Sequence, residues 1–205
     1  MLELDHFAVL GETLEEATAH AEAALGVPLL PGGEHARFGT HNRLLGLAPD
    51  LYFEAIAIDP SAPPPQEARW FGLDHFTGPA RLDKWICRVP DLAAALEALP
   101  EAGRAVEVTR GNLHWSMAVP EDGHLPFDGM FPALIQWHSP ILPGKTLQGA
   151  GLRVDRLTVC HPRATDLQAR LAPHLNAPLV QFETTQVPGL RADLTGPNAQ
   201  HITLQ

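Results

Sequence analysis

A single carboxylate, Glu54, stands inside the apolar run Leu51–Ile58. On a strand, Tyr52, Glu54, Ile56 and Ile58 share one face, and Phe53, Ala55 and Ala57 share the other. A carboxylate between bulky apolar neighbours loses hydration, at several kcal/mol, unless a cation, a metal or a hydrogen-bond donor compensates. Just upstream, Thr40-His41-Asn42 supplies polar groups where a hairpin opens. Its strands are expected at Asn42–Leu47 and Leu51–Ile58, joined by the turn-forming Pro49-Asp50. Glu54 is thus the first candidate acid–base group, with His41 as the neighbouring histidine able to carry a proton. Asn42 is a candidate donor to a polar substrate, the alternative being a local turn bond. The bland alternative for Glu54 is a buried salt bridge to Lys84 or Arg43.

The elements that must position these groups recur along the chain. Residues 1–58 read as strand, helix and three strands, with Leu2–Leu10 first. Thr13 and Glu16 have capping-box spacing, and Gly26 stops the helix near Leu25. Pro28–Phe38 reads as a Gly/Pro-rich link with at most a short strand near Val27–Leu30. Residues 59–81 form a Pro-rich linker, although Arg69-Trp70-Phe71-Gly72 is too aromatic for a solvated tether. Residues 82–140 repeat the order: a strand from Leu82, a helix capped by Asp91, then strands at Ala105–Thr109, Leu113–Val119 and Ala133–His138. Residues 141–205 repeat it again in shorter form, from Val154. A recurrent βαβββ unit is the main organisational feature. The fold class is therefore α+β, built from repeated βαβββ modules.

The net charge of −10 and the lack of a Lys/Arg run argue against nucleic acid or an anionic membrane as partner. No apolar stretch approaches transmembrane length, and the N-terminus lacks a signal-peptide pattern, so a cytoplasmic location is expected. Cys87 and Cys160 have no CxxC spacing and no basic neighbour to favour a thiolate. In the second unit, His114-Trp115 corresponds to Arg43-Leu44 of the first, which makes His114, Trp115 and Trp137 candidate cleft residues. His35, His124 and His161 fall in links and are expected to be solvated.

Six motifs occur in order: Leu4-Asp5-His6, Gly32-Gly33-Glu34-His35, Gly39–Leu47, Tyr52-Phe53-Glu54, Arg69–Asp74 and Pro132–Trp137. Together they resemble the glyoxalase-like domain family of the vicinal oxygen chelate superfamily, which includes glyoxalase I, extradiol dioxygenases and antibiotic-resistance proteins. The resemblance implies curved mixed sheets around a cleft shared by two βαβββ modules, with metal ligands on their first and last strands. Carried over, these positions are His6 and Glu54 in the first module, and Lys84 and Gln136 in the second. His6, Glu54 and Gln136 suit Zn, Ni, Fe or Mn, with His41 as a further ligand, whereas the Lys84 ammonium repels a cation. Two readings stay open. One is a metal-assisted lyase or isomerase acting on vicinal oxygens. The other is a metal-free protein that sequesters a small molecule, with Lys84–Glu54 as a structural ion pair. The partner in either case is a small molecule, and a homodimer is left open.

Overall fold

A computed structural model describes residues 1–48 and 50–205. Pro49, half of the expected Pro49-Asp50 turn, lies outside the described residues. The first module runs β1 (Glu3–Leu10), α1 (Leu14–Leu25), β2 (Leu30–His35), β3 (Thr40–Ala48) and β4 (Leu51–Ile58). The second runs β5 (Arg81–Arg88), α2 (Leu92–Ala98), β6 (Arg104–Arg110), β7 (Leu113–Val119) and β8 (Ala133–Trp137).

These strands form one eight-stranded sheet in the order β2-β3-β4-β1-β5-β8-β7-β6. The order reads the same from either end once the modules are exchanged. Each first strand pairs in parallel with its module's last strand, and β1 meets β5 antiparallel at the centre. The seam is apolar on the helix side, where Phe7 packs edge-on against Phe53 and lies across from Trp85. Local signals begin the helices as their residues suggest. Thr13 Oγ1 accepts from Glu16 N at 3.2 Å, Glu16 Oε2 accepts from Thr13 N at 3.3 Å, and Gly26 closes α1 with φ 71°. Asp91 Oδ1 accepts from Ala94 N at 3.0 Å to cap α2.

The sheet curls until its outer strands approach. Arg37, just beyond β2, donates to the Glu107 carbonyl of β6 at 3.1 Å. Glu67 in the inter-module link accepts from both Arg37 and Arg104. The link also supplies a tight turn at Trp70–His75, in which Phe71 (φ 63°) and Gly72 (φ 67°) are left-handed. Trp70 and Phe71 are buried there, as the aromatic segment suggested.

Two expectations change. The stretch assigned as a link holds β2, because Gly32 and Gly33 allow an irregular edge pairing with β3. A Cβ on Gly32 would lie 2.1 Å from Asn42 Oδ1, so only glycine fits there. The last unit keeps the element order, with β9 (Arg153–His161), α4 (Ala164–Leu171), β10 (Val180–Thr184), β11 (Gly189–Thr195) and β12 (His201–Leu204), after a short helix α3 (Pro143–Thr146). Its strand order, β10-β9-β11-β12, differs from that of the modules. The first strand now pairs in parallel with the strand after the helix and not with the last one. This sheet packs behind the seam, where Phe182 meets Trp85 edge-on.

Candidate functional site

Strand alternation puts His6 and Tyr52, then Ala8 and Glu54, side by side on the concave face. Asn42 and Leu44 join them from β3. From the second module come Arg110 of β6, Trp115 and Met117 of β7, and Ile135 and Trp137 of β8. Trp70 and Phe71 close the mouth. The remaining space between them is narrow, about 30 Å³. Larger hollows of about 430 and 400 Å³ lie elsewhere on the surface, around Arg88, and share only Trp137 with the cleft.

The polar groups form one chain of contacts. His6 Nδ1 lies 2.7 Å from Asp5 Oδ1, and the other Asp5 oxygen accepts from Trp137 Nε1 at 3.1 Å. His6 Nε2 faces Glu54 Oε2 at 3.5 Å, and its ring stacks on Tyr52 at 4.3 Å. Asn42 Nδ2 donates to Glu54 Oε1 at 2.5 Å. Asn42 Oδ1 accepts from Gly33 N at 2.8 Å and from Arg110 Nη1 at 3.1 Å. Arg110 Nη1 also reaches His35 Nε2 at 3.1 Å, while His35 Nδ1 meets Thr40 Oγ1 at 3.0 Å.

Charge follows from these contacts. Burial alone would lower the His6 pKa, but hydrogen bonds to Asp5 and Glu54 overcome it and push the pKa up to about 9. His6 is therefore an imidazolium at neutral pH. Burial would raise Glu54, yet the bonds from His6 and Asn42 and the His6 charge hold it below the ordinary carboxylate range. His35 goes the other way. Burial, reinforced by Arg110, lowers it to about 4 against the pull of Glu54, so it is neutral and accepts from the guanidinium.

Several expected site residues lie elsewhere. Gln136 faces away from the cleft, because Ile135 and Trp137 take the inward parity on β8, and its Oε1 accepts from Leu92 N at 2.7 Å at the start of α2. His41 has the parity opposite to Asn42 and lies across from Ala57. His114 is half exposed on the outer face of β7, its ring tilted against that of His138 at 4.6 Å. Lys84 is buried, but its ammonium pairs with Asp83 on its own strand, and Glu54 takes its counter-charge from His6. Asn42, Trp115, Trp137, His6 and Glu54 do converge. His35 in the site and His161 on β9 are buried, although both were expected to be solvated, and buried Asp5 and Tyr52 and half-buried Arg110 join His35. The Gly32-Gly33-Glu34-His35 motif was the one available signal for His35, and Arg110 carried none.

The donor set does not fit a divalent metal. Among the described residues, His6 Nε2 and Glu54 Oε2 face each other at 3.5 Å with Asp5 already holding the other His6 nitrogen. Arg110 occupies the next nitrogen, His35 Nε2, with a fixed positive charge. Among the described residues no three His, Cys, Asp or Glu side chains are grouped to hold an ion. Of the two second-module positions carried over, Lys84 is a cation paired with Asp83 and Gln136 is turned to α2.

Known proteins place the fold. A crystal structure of a hypothetical protein from Staphylococcus aureus superposes with a TM-score of 0.67 at 12% identity, over 100% of this chain and 99% of that one. Methylmalonyl-CoA epimerase from Mycobacterium tuberculosis is 21% identical over 65% of this chain and 85% of its own, with a TM-score of 0.41. A fusion of a xylose isomerase-like TIM barrel with 4-hydroxyphenylpyruvate dioxygenase is 15% identical over 96% of this chain and 30% of its own, with a TM-score of 0.44. No curated protein sequence matches the chain. Residues 4–175 match the glyoxalase-like domain, and with the paired βαβββ modules this makes the chain a member of the glyoxalase-like domain family.

Proposed function

We propose that the cleft catalyses proton transfer at a carbon next to a carbonyl, as in an isomerase or lyase, with Glu54 as base and His6 as the acid facing it. The observation that carries this reading is the buried His6–Glu54 pair, whose 3.5 Å separation is long for a hydrogen bond between opposite charges. A substrate carbonyl oxygen entering between them accepts from His6 Nε2–H. Glu54 Oε2 then takes the carbon-bound proton, the C–H pair forms the enolate double bond, and negative charge collects on the oxygen beside the imidazolium. Return of the proton by Glu54 to a neighbouring carbon isomerises the substrate, and expelling a β-substituent makes the reaction a lyase step.

The same insertion activates the base. Glu54 is held acidic chiefly against the push of burial by its bond from His6. When the substrate takes that bond, burial dominates and the carboxylate becomes more basic. Asn42 keeps Oε1 fixed, leaving Oε2 to react. Trp115, Trp137, Trp70 and Phe71 exclude water. No step needs the metal expected on His6 and Glu54 with Gln136 or His41.

Solvent-deuterium incorporation into small ketones and oxo acids, followed by proton NMR, tests the reading. Wild type should accelerate exchange and Glu54→Gln should lose at least 100-fold, within the range for a general base. Equal exchange by the two proteins would remove Glu54 as the base. A second reading, a metal-free binding protein, draws support from the narrow cavity and its aromatic walls, and binding without any exchange would favour it.

A further inference from the structure

Arg110 reaches the site from the far edge of the curled sheet and spends one nitrogen on it. Its Nη1 is engaged by Asn42 Oδ1 and His35 Nε2, both at 3.1 Å. Among the described residues no protein group accepts from its Nε or Nη2, and neither nitrogen is buried. The guanidinium thus presents an unpaired edge with two parallel donors, the geometry that matches a carboxylate. Gly33 keeps this placement open, because a Cβ there would lie 2.8 Å from Arg110 Cδ.

The position of that edge relative to the base limits the ligand. Asn42 touches Arg110 through Oδ1 and Glu54 through Nδ2, so a single carboxamide separates the guanidinium from the carboxylate. A ligand that touches both Arg110 and Glu54 must therefore run alongside that carboxamide. One guanidinium beside an ionised Glu54, in a chain of net charge −10, suits a monoanion better than a phosphate dianion.

We propose that the substrate is a short oxo acid, with its carboxylate on the open edge of Arg110, its carbonyl oxygen at His6 and its acidic C–H at Glu54. The placement of the carbonyl and the C–H rests on the proton-transfer reading, whereas the carboxylate contact stands without it. Arg110 is then the specificity-determining residue, and His35, neutral and bonded to Thr40, orients it.

Calorimetric titration with pyruvate, 2-oxobutyrate, pyruvamide and inorganic phosphate tests this on the full chain. The two oxo acids should bind wild type, and pyruvamide, which keeps the shape without the charge, should bind at least tenfold more weakly. Arg110→Gln should lose at least tenfold in oxo-acid affinity, and Arg110→Lys should recover only part, having charge without the paired donors. Glu54→Gln should bind the oxo acids at least as tightly as wild type while losing deuterium exchange. Binding that persists without exchange in wild type leaves the carboxylate contact standing and removes the proton-transfer reading. Pyruvamide binding as well as pyruvate, phosphate binding more tightly than either acid, or no oxo-acid binding to wild type would overturn the proposal without any variant having to fold.

Discussion

Asp5 and His6 are neighbours in the chain, yet their side chains meet at 2.7 Å on the same side of β1. Strict alternation would send them to opposite faces. The register against β5 slips between Leu4 and His6, so Asp5 sits in a bulge and turns toward the cleft. Asp5 thereby takes one His6 nitrogen and leaves the other to Glu54. The imidazolium is shared between two buried carboxylates.

That arrangement makes His6 a keystone. His6→Gln leaves Asp5 and Glu54 buried with no cation between them, and the loss of one partner of a buried ionic cluster costs about 3–5 kcal/mol. Urea unfolding should show a lower midpoint with an unchanged slope. A midpoint within error of wild type would mean that the imidazolium does not hold the pair.

Stability should peak near neutrality. The His6 pKa is raised from 6.5 to about 9, so its contribution is complete below 6.5 and fades as pH rises toward 9. The His35 pKa is lowered from 6.5 to about 4, so the neutral ring stabilises above 6.5 and the benefit fades as pH falls toward 4. The two limbs meet near pH 6.5, each worth on the order of 1–3 kcal/mol. Asp5→Asn removes one of the groups that raise His6 and should move its NMR titration downward. A His6 titrating at the same pH in both proteins would contradict this.

Gln136 should matter to the helix and not to the site. Gln136→Leu removes the acceptor for Leu92 N and should lower stability by about 1 kcal/mol, the scale of a lost helix cap. Ligand affinity should stay within twofold of wild type. A large affinity loss at unchanged stability would return Gln136 to the cleft.

Gly32→Ala should disturb the site from the edge strand. Its Cβ would meet Asn42 Oδ1 at 2.1 Å and the Asn42 carbonyl oxygen at 2.4 Å, so β2 must shift. Overpacking of this kind costs about 1–3 kcal/mol. Asn42 should also lose its grip on Arg110, which weakened oxo-acid binding would report.

Much of this protein is local enough to read from its residues. Thr13, Glu16 and Gly26 bracket α1 because capping depends on neighbours three or four residues apart. The repeated order of elements identifies the paired modules, and the parity of Tyr52 and Glu54 follows from alternation along one strand. A carboxylate in LYFEAIAI marks a site because burying an unpaired charge is costly. What surrounds Glu54 was decided by tertiary structure. Sheet twist, summed over eight strands, brings Arg110 of β6 to His35 of β2, residues 75 positions apart. The Asp5 bulge depends on pairing with β5, and the inward parity of Ile135 and Trp137 sends Gln136 to α2. Lys84 met Asp83 instead of Glu54 for a similar reason: a buried charge takes the nearest partner that the fold supplies, and distance in space is not written in the order of the chain.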